Sequence, residues 1–294
     1  MNEKALKENG KVLNALSIDV EEYFQVANFD QVIGVRNWNS HQSRVMASTT
    51  KCLELLGETN TKATFFILGW IAKRHPELVK QIHSAGHEIA SHGYLHRSVT
   101  KMEPASFFRD ISVTKQVLES IIGQAVIGYR APNFSISIDS RWPYEALVRA
   151  GYTYDSSVHP IRHPNYASPK GPSLPYVWEN KLVVCPISIS AWKLGPFTLK
   201  LPFAGGAYWR LFPESYIHYN INRTNNSAQP CCCYFHPWEV DHLQPRIAGI
   251  SKVRELRHYG GLKKFEAKLR NLLLLHRFAP ISRVYNPIEM LVRL

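Results

Sequence analysis

Short apolar runs alternate with amphipathic stretches from residue 13 to residue 235, and nothing else in the chain limits its fold as tightly. Residues 13–20 and 63–68 read as buried strands. Pro76–Ser84 reads as a helix with proline in its first turn and Gly86 beyond its end. Residues 87–91 follow as a strand, 103–122 as a longer helix, 126–130 as a strand, and 139–150 as a helix closed by Gly151. Residues 182–188 and 231–235 are later strands, with a helix near 213–224 between them. Strands alternating with helices predict an α/β domain around a parallel sheet. Polar residues stand where the strands end: Asp19 and Glu21, His92, Arg130, His236. In parallel barrels and open α/β sheets, that end carries the function.

The types of these residues suggest a chemistry. In a strand, Asp19 and Glu21 project from one face, so one can accept a proton and the other can hold a metal. Glu22 faces away or sits in the following turn. His92 and His96 stand four apart, which on a helical turn aims both imidazoles at one ion. One carboxylate with two imidazoles is a usual ligand composition for catalytic zinc, leaving positions for water and substrate. Arg130, before a loop stiffened by Pro132, can grip a buried carboxylate with two donors. Asp155 can orient a histidine or cap a turn. Trp70, Trp192, Trp209 and Trp238 offer ring faces to a sugar, or pack in the core.

Composition narrows the rest. With 45% hydrophobic and 20% charged residues, the chain is neither disordered nor fibrous. Five cysteines, three of them the run Cys231-Cys232-Cys233, make a poor disulfide framework and show no CxxC spacing; they read as reduced, buried thiols. No run of about 18 apolar residues predicts a spanning helix. The first residues lack the apolar core of a signal peptide, so a cytoplasmic protein is expected. Eight of the twelve net positive charges fall in residues 242–294. There Leu262, Phe265, Leu269, Leu272 and Leu273 share helical spacing beside Lys263, Lys264, Lys268 and Arg270. Such a basic amphipathic helix either lies on an anionic membrane or packs on the domain with its basic face in water. The charge comes without a nucleic-acid recognition motif, so no nucleic-acid partner is expected.

In content and order, GHEIASHGYLH, GYRAPNF and YFHPWE resemble the polysaccharide deacetylases, the NodB-homology group of carbohydrate esterase family four. DVEEYF, YDSSVHP and LPFAGGAYWRLFP resemble a bacterial subgroup linked to exopolysaccharide and surface-glycan biosynthesis. The resemblance runs from about residue 13 to about residue 240. It implies an α/β fold, a distorted (β/α) barrel with fewer than eight regular strands. Here that means a polar leader at 1–12, a deacetylase domain at 13–250 and a basic helical C-terminal extension at 251–294. The implied activity is metal-dependent removal of N-acetyl groups from an amino sugar in a polysaccharide, a surface glycan or a lipid-linked precursor. The implied cofactor is a divalent cation, zinc foremost, with Ni2+, Co2+ or Mn2+ as other choices.

By position, His92 and His96 match the two histidine ligands, Asp19 the catalytic base and Arg130 the arginine that orients it. Asn133 matches a position whose backbone N–H can help hold the oxyanion. His236 matches the catalytic histidine and Asp155 the acid that tunes it. Where the family motif has a second aspartate, this chain has Val20, which cannot ligate. Strand phasing nominates Glu21 as the third ligand, with Glu22 and Asp19 as alternatives. Two competing readings are a metal-dependent amidase acting on a small non-sugar amide, and a catalytically silent glycan-binding protein. Val20 favours the second of these; Asp19, Arg130 and His236 oppose it. The missing signal peptide leads us to expect a cytoplasmic protein, and the basic tail would suit peripheral docking on anionic lipid at the inner face of the membrane.

Overall fold

Val12 to Val20 are buried without interruption, the pattern of a strand covered on both faces. The computed structural model describes residues 6–8, 10–163, 166–195 and 197–292. Its main sheet holds ten strands. They are β1 (Lys7–Glu8), β2 (Lys11–Val20), β3 (Thr64–Ile67), β4 (Glu88–Ser91), β5 (Gly128–Tyr129), β6 (Tyr154–Asp155), β7 (Tyr176–Trp178), β8 (Leu182–Val184), β11 (Cys232–Phe235) and β12 (Arg277–Ala279). A separate antiparallel hairpin, β9 (Ile189–Leu194) and β10 (Phe197–Pro202), lies between β8 and β11 in the chain. The main sheet runs β1-β2-β3-β4-β5-β6-β8-β7, and β11 and β12 both pair with β2. Every pairing from β2 to β8 is parallel, so these strands deliver their C-terminal ends to the same side.

The sheet curls into a half-barrel. Its far side reaches back to β11 where the Ser188 amide donates to the Cys232 carbonyl at 3.0 Å and Gly205 bridges Tyr234. Gly205 adopts φ +130°, and a Cβ there would fall 1.7 Å from the Tyr234 carbonyl oxygen, so the approach requires glycine.

Helices α1 (Val45–Glu58), α2 (Gly69–Arg74), α3 (Pro76–Ser84), α4 (Pro104–Ile122) and α5 (Arg141–Arg149) fill the connections in the first half. α6 (Ala207–Leu211), α7 (Glu214–Asn226), α8 (Lys252–Tyr259), α9 (Leu262–Leu275) and α10 (Ile281–Tyr285) follow. The bounds of α3 are those read from the sequence. The strands expected at 126–130 and 182–188 shorten to two and three residues. The expected leader is in part strand, since β1 pairs with the start of β2.

The basic amphipathic helix forms, and its apolar stripe is used inside the protein. Leu262, Phe265, Leu269, Leu272 and Leu273 are all buried, and the Phe265 ring lies 6.0 Å from Phe235 of β11. That stripe is therefore unavailable to a membrane. Beyond α9 the chain returns to the sheet: β12 pairs with β2, and the Ile281 amide donates to Thr64 Oγ1 at 2.8 Å. All five cysteines are buried and unpaired. The Phe265→Ala substitution should therefore cost about 3–5 kcal/mol of stability. Urea unfolding checks this; a loss below about 1 kcal/mol would place α9 outside the core.

Candidate active site

The C-terminal ends of β2, β4, β5 and β11 open on one cleft, where parallel sheets gather their functional side chains. Asp19 lies within the end of β2 and Glu21 just past it. His92 follows β4, Arg130 follows β5 and His236 follows β11.

Glu21, His92 and His96 each offer a ligand atom, and these atoms lie within 4.8 Å of one another. The His92 Nδ1–H donates to the Arg130 carbonyl at 2.9 Å, which leaves Nε2 unprotonated for an ion. Burial pushes His92 down to about 4, keeping it in the neutral form that ligates. His96 does not sit on a helical turn with His92, as its spacing suggested. The segment is a loop bent by Gly93 at φ +72° and by His96 itself at φ +51°, and Asp110 Oδ2 accepts from the Tyr94 amide at 2.7 Å.

Glu21 Oε1 accepts from the Trp238 indole N–H at 3.2 Å. Glu21 Oε2 lies 2.7 Å from His96 Nε2, yet the pair lacks hydrogen-bond alignment and this buried oxygen has no donor. Burial alone would raise the Glu21 pKa. His96, then His236 and His92, outweigh it and hold the carboxylate at about 2. An orphaned carboxylate oxygen beside two buried imidazoles fits a divalent cation with nitrogen and oxygen preference, zinc among them. The alternative ligands are occupied elsewhere. Glu22 accepts from the Ser43 hydroxyl and the Arg44 amide, and Asp19 is held by Arg130. Val20 is fully buried and paired in register with Ile67.

Asp19, the residue that the resemblance nominates as base, is fixed by Arg130. Arg130, wholly buried, donates to Asp19 Oδ1 at 2.6 Å, to Ser17 Oγ at 2.7 Å, and to the Ser156 carbonyl and hydroxyl at 3.0 and 2.8 Å. Asp19 thus remains an acceptor in fixed orientation.

His236 has a different partner from the one the sequence suggested. Its Nδ1–H donates to Glu239 Oε1 at 2.6 Å, and Glu239 Oε2 accepts from Arg210 Nε at 2.6 Å. Asp155 instead accepts from the Ser157 amide at 3.1 Å and from its hydroxyl, and Ser157 Oγ accepts from the Ala131 amide at 2.7 Å. Asp155 therefore supports the loop after Arg130. Its burial lifts it to about 7 against the pull of Ser157. Burial would also raise Glu239, but Arg210 and then His236 hold it low. Burial would lower His236; Glu21 and then Glu239 outweigh it and lift it to about 9. The visible signal for Glu239 was its place three residues after His236: it caps the turn that follows, accepting from the His236 amide at 3.1 Å.

Of the four tryptophans proposed for sugar stacking, Trp238 alone lines the cleft among the described residues. Its ring is stacked between His236 and His258, at 5.1 and 4.3 Å. The cleft's other aromatics are Phe134, Tyr166 and Tyr234. Asn133 lines it too, at φ +57°, with its amide side chain on Ser98 Oγ at 3.2 Å. Arg210 and Arg257 complete the wall, neither of which the sequence reading had named.

Residues 36–154 match the model of the polysaccharide deacetylase family, and residues 156–286 match a domain of unknown function, DUF3473. A peptidoglycan-N-acetylglucosamine deacetylase of Bacillus cereus is 37% identical over 84 residues, 29% of this chain and 30% of its own length. A chitooligosaccharide deacetylase of Rhizobium leguminosarum bv. trifolii is 33% identical over 79 residues, 27% of this chain and 37% of its own. The alignments thus span about a third of these relatives. The fold matches a crystal structure of a Mycobacterium smegmatis protein assigned to the polysaccharide deacetylases, with TM-score 0.63 at 20% identity, covering 98% of this chain and 93% of that one.

Two substitutions test the site's assignments. Glu21→Gln should weaken divalent-cation binding while Glu22→Gln leaves it unchanged, measured by elemental analysis after dialysis; the reverse result would make Glu22 the ligand. Glu239→Gln takes the carboxylate from His236 Nδ1 and should lower the His236 pKa from about 9, read by NMR titration. Its metal content should stay that of the unaltered protein.

Proposed function

From a chain that carries a polysaccharide deacetylase domain, we propose hydrolytic removal of an N-acetyl group from an amino sugar, with a divalent cation, zinc foremost, as cofactor. The observation that carries this reading is an acid and a base fixed at one cleft beside a metal-type triad: Asp19 on Arg130, His236 on Glu239, and Glu21, His92 and His96 between the strand ends. Binding alone has no need of both a proton acceptor and a proton donor. The matched region 156–286, typical of exopolysaccharide-associated relatives, supports a bacterial surface polysaccharide or its precursor as substrate.

When bound by Glu21, His92 and His96, a divalent cation supplies Lewis acidity to a carbonyl oxygen and acidifies water. Asp19 takes the proton of the attacking water, and Arg130 keeps Asp19 aimed. The backbone N–H of Asn133 is the proposed donor to the oxyanion of the tetrahedral species. His236 then gives the Nε2 proton to the departing amine, while Glu239 on Nδ1 favours the doubly protonated ring. The products are acetate and a free amino sugar.

Acetate release from N-acetylglucosamine oligomers and peptidoglycan fragments tests the reading. Asp19→Asn and His236→Ala should each lose roughly 10²–10⁴ in rate, the usual share of general acid–base catalysis, with bound metal retained. A metal-loaded protein that releases no acetate from any N-acetylated glycan overturns the reading, and full activity in His236→Ala removes that residue from it.

A further inference from the structure

Two arginines line the cleft, and their situations differ. Arg210 is committed: its Nε donates to Glu239, and its terminal nitrogens donate to the Gly260 carbonyl and, at 2.7 Å, to the Arg257 carbonyl. The Arg257 guanidinium has no hydrogen bond and no carboxylate within 4.0 Å among the described residues, although the side chain is half-buried. The acids of the cleft and of α8 are engaged elsewhere: Asp19 by Arg130, Glu21 beside His96, Glu239 by Arg210 and His236, and Glu255 by Arg246. The groups that feel the Arg257 charge are His163, Tyr166 and Tyr208. Burial keeps all three neutral near pH 7, pushing the imidazole down to about 4 and the phenols up.

We propose that Arg257 is the docking point for an anionic group of the substrate, adjacent to the N-acetylated sugar in the cleft. An arginine fork matches carboxylate and phosphate oxygens in paired hydrogen bonds, and such charge-assisted bonds are about twice as strong as neutral ones. A wholly neutral glycan would offer this cation only neutral acceptors and leave its charge unmatched in a partly desolvated wall. The anion is either the carboxylate of a neighbouring uronic acid or the phosphate ester of an activated sugar. The inference rests on the proposed deacetylase reading for the sugar, and on Arg257 for the charge.

Calorimetric titration of the full metal-loaded chain tests it with three probes: N,N′-diacetylchitobiose as the neutral ligand, a hyaluronan tetrasaccharide as the uronate, and N-acetylglucosamine 1-phosphate. At least one anionic probe should bind tenfold or more tightly than the neutral one. That advantage should vanish in Arg257→Gln, while chitobiose affinity in the variant stays unchanged and reports an intact fold. The tighter of the two anions identifies the source. Equal affinities in the unaltered protein, no anion binding at millimolar concentration, or an advantage that survives Arg257→Gln each overturn the proposal; the last would put the anion on the metal. Selective anion binding without acetate release would retire the deacetylase reading and leave the Arg257 subsite standing.

Discussion

The buried ion pair between Arg130 and Asp19 governs the rest of the site. Two full charges removed from water are tolerated only when their hydrogen bonds are complete, and losing one partner of such a pair costs about 3–5 kcal/mol. Arg130 meets that demand with partners at the end of β2, Ser17 and Asp19, and beyond β6, Ser156, while the Phe66 ring of β3 lies 4.2 Å beneath the guanidinium. Four strands are thereby registered against one side chain. The carbonyl of the same residue fixes the tautomer of His92. Asp19 and one metal-type residue, His92, are oriented by the side chain and the backbone of a single residue.

A second buried chain of charges does the same for His236. His236, Glu239 and Arg210 are linked in series, and Arg210 ends on the backbone carbonyls of Gly260 and Arg257 at the close of α8. Every member lies in the region that matches the domain of unknown function. Trp238 joins the two systems, its indole bonded to Glu21 and its ring stacked on His236. The later part of the chain thus supplies much of the cleft, and the stripe of α9 packed behind β11 is core.

Legibility in the sequence followed physical locality. Strand ends were readable because apolar runs stop abruptly at polar residues, which put Asp19, Glu21, His92, Arg130 and His236 on one face before any coordinates. The same phasing selected Glu21 over Glu22. The His92–His96 spacing misled about shape, because a loop with two positive φ angles brings the rings together as well as a helix does. Asp155 was assigned to His236 by resemblance. This chain instead uses Glu239, three residues along, a local i,i+3 relation that capping geometry makes ordinary. Arg210 and Arg257 were hidden among many basic residues, since nothing in a one-dimensional pattern says which cations reach a cleft. The tail's periodicity was correct for a helix and silent on what its apolar face would meet.

The pairing of β2 with both β11 and β12 carries a consequence for synthesis. Trp238 and Glu21, which touch in the finished site, are 217 residues apart. A ribosome adds the ligand-bearing strands first, so β2 waits with an unfilled hydrogen-bonding edge until the last third of the chain emerges. During that interval the nascent protein holds its metal-type residues without His236, and the edge of β2 is open to other chains. The arrival of β11, rather than any early folding event, brings His236 to the cleft. A chain broken off before β11 keeps that edge open and is an aggregation hazard.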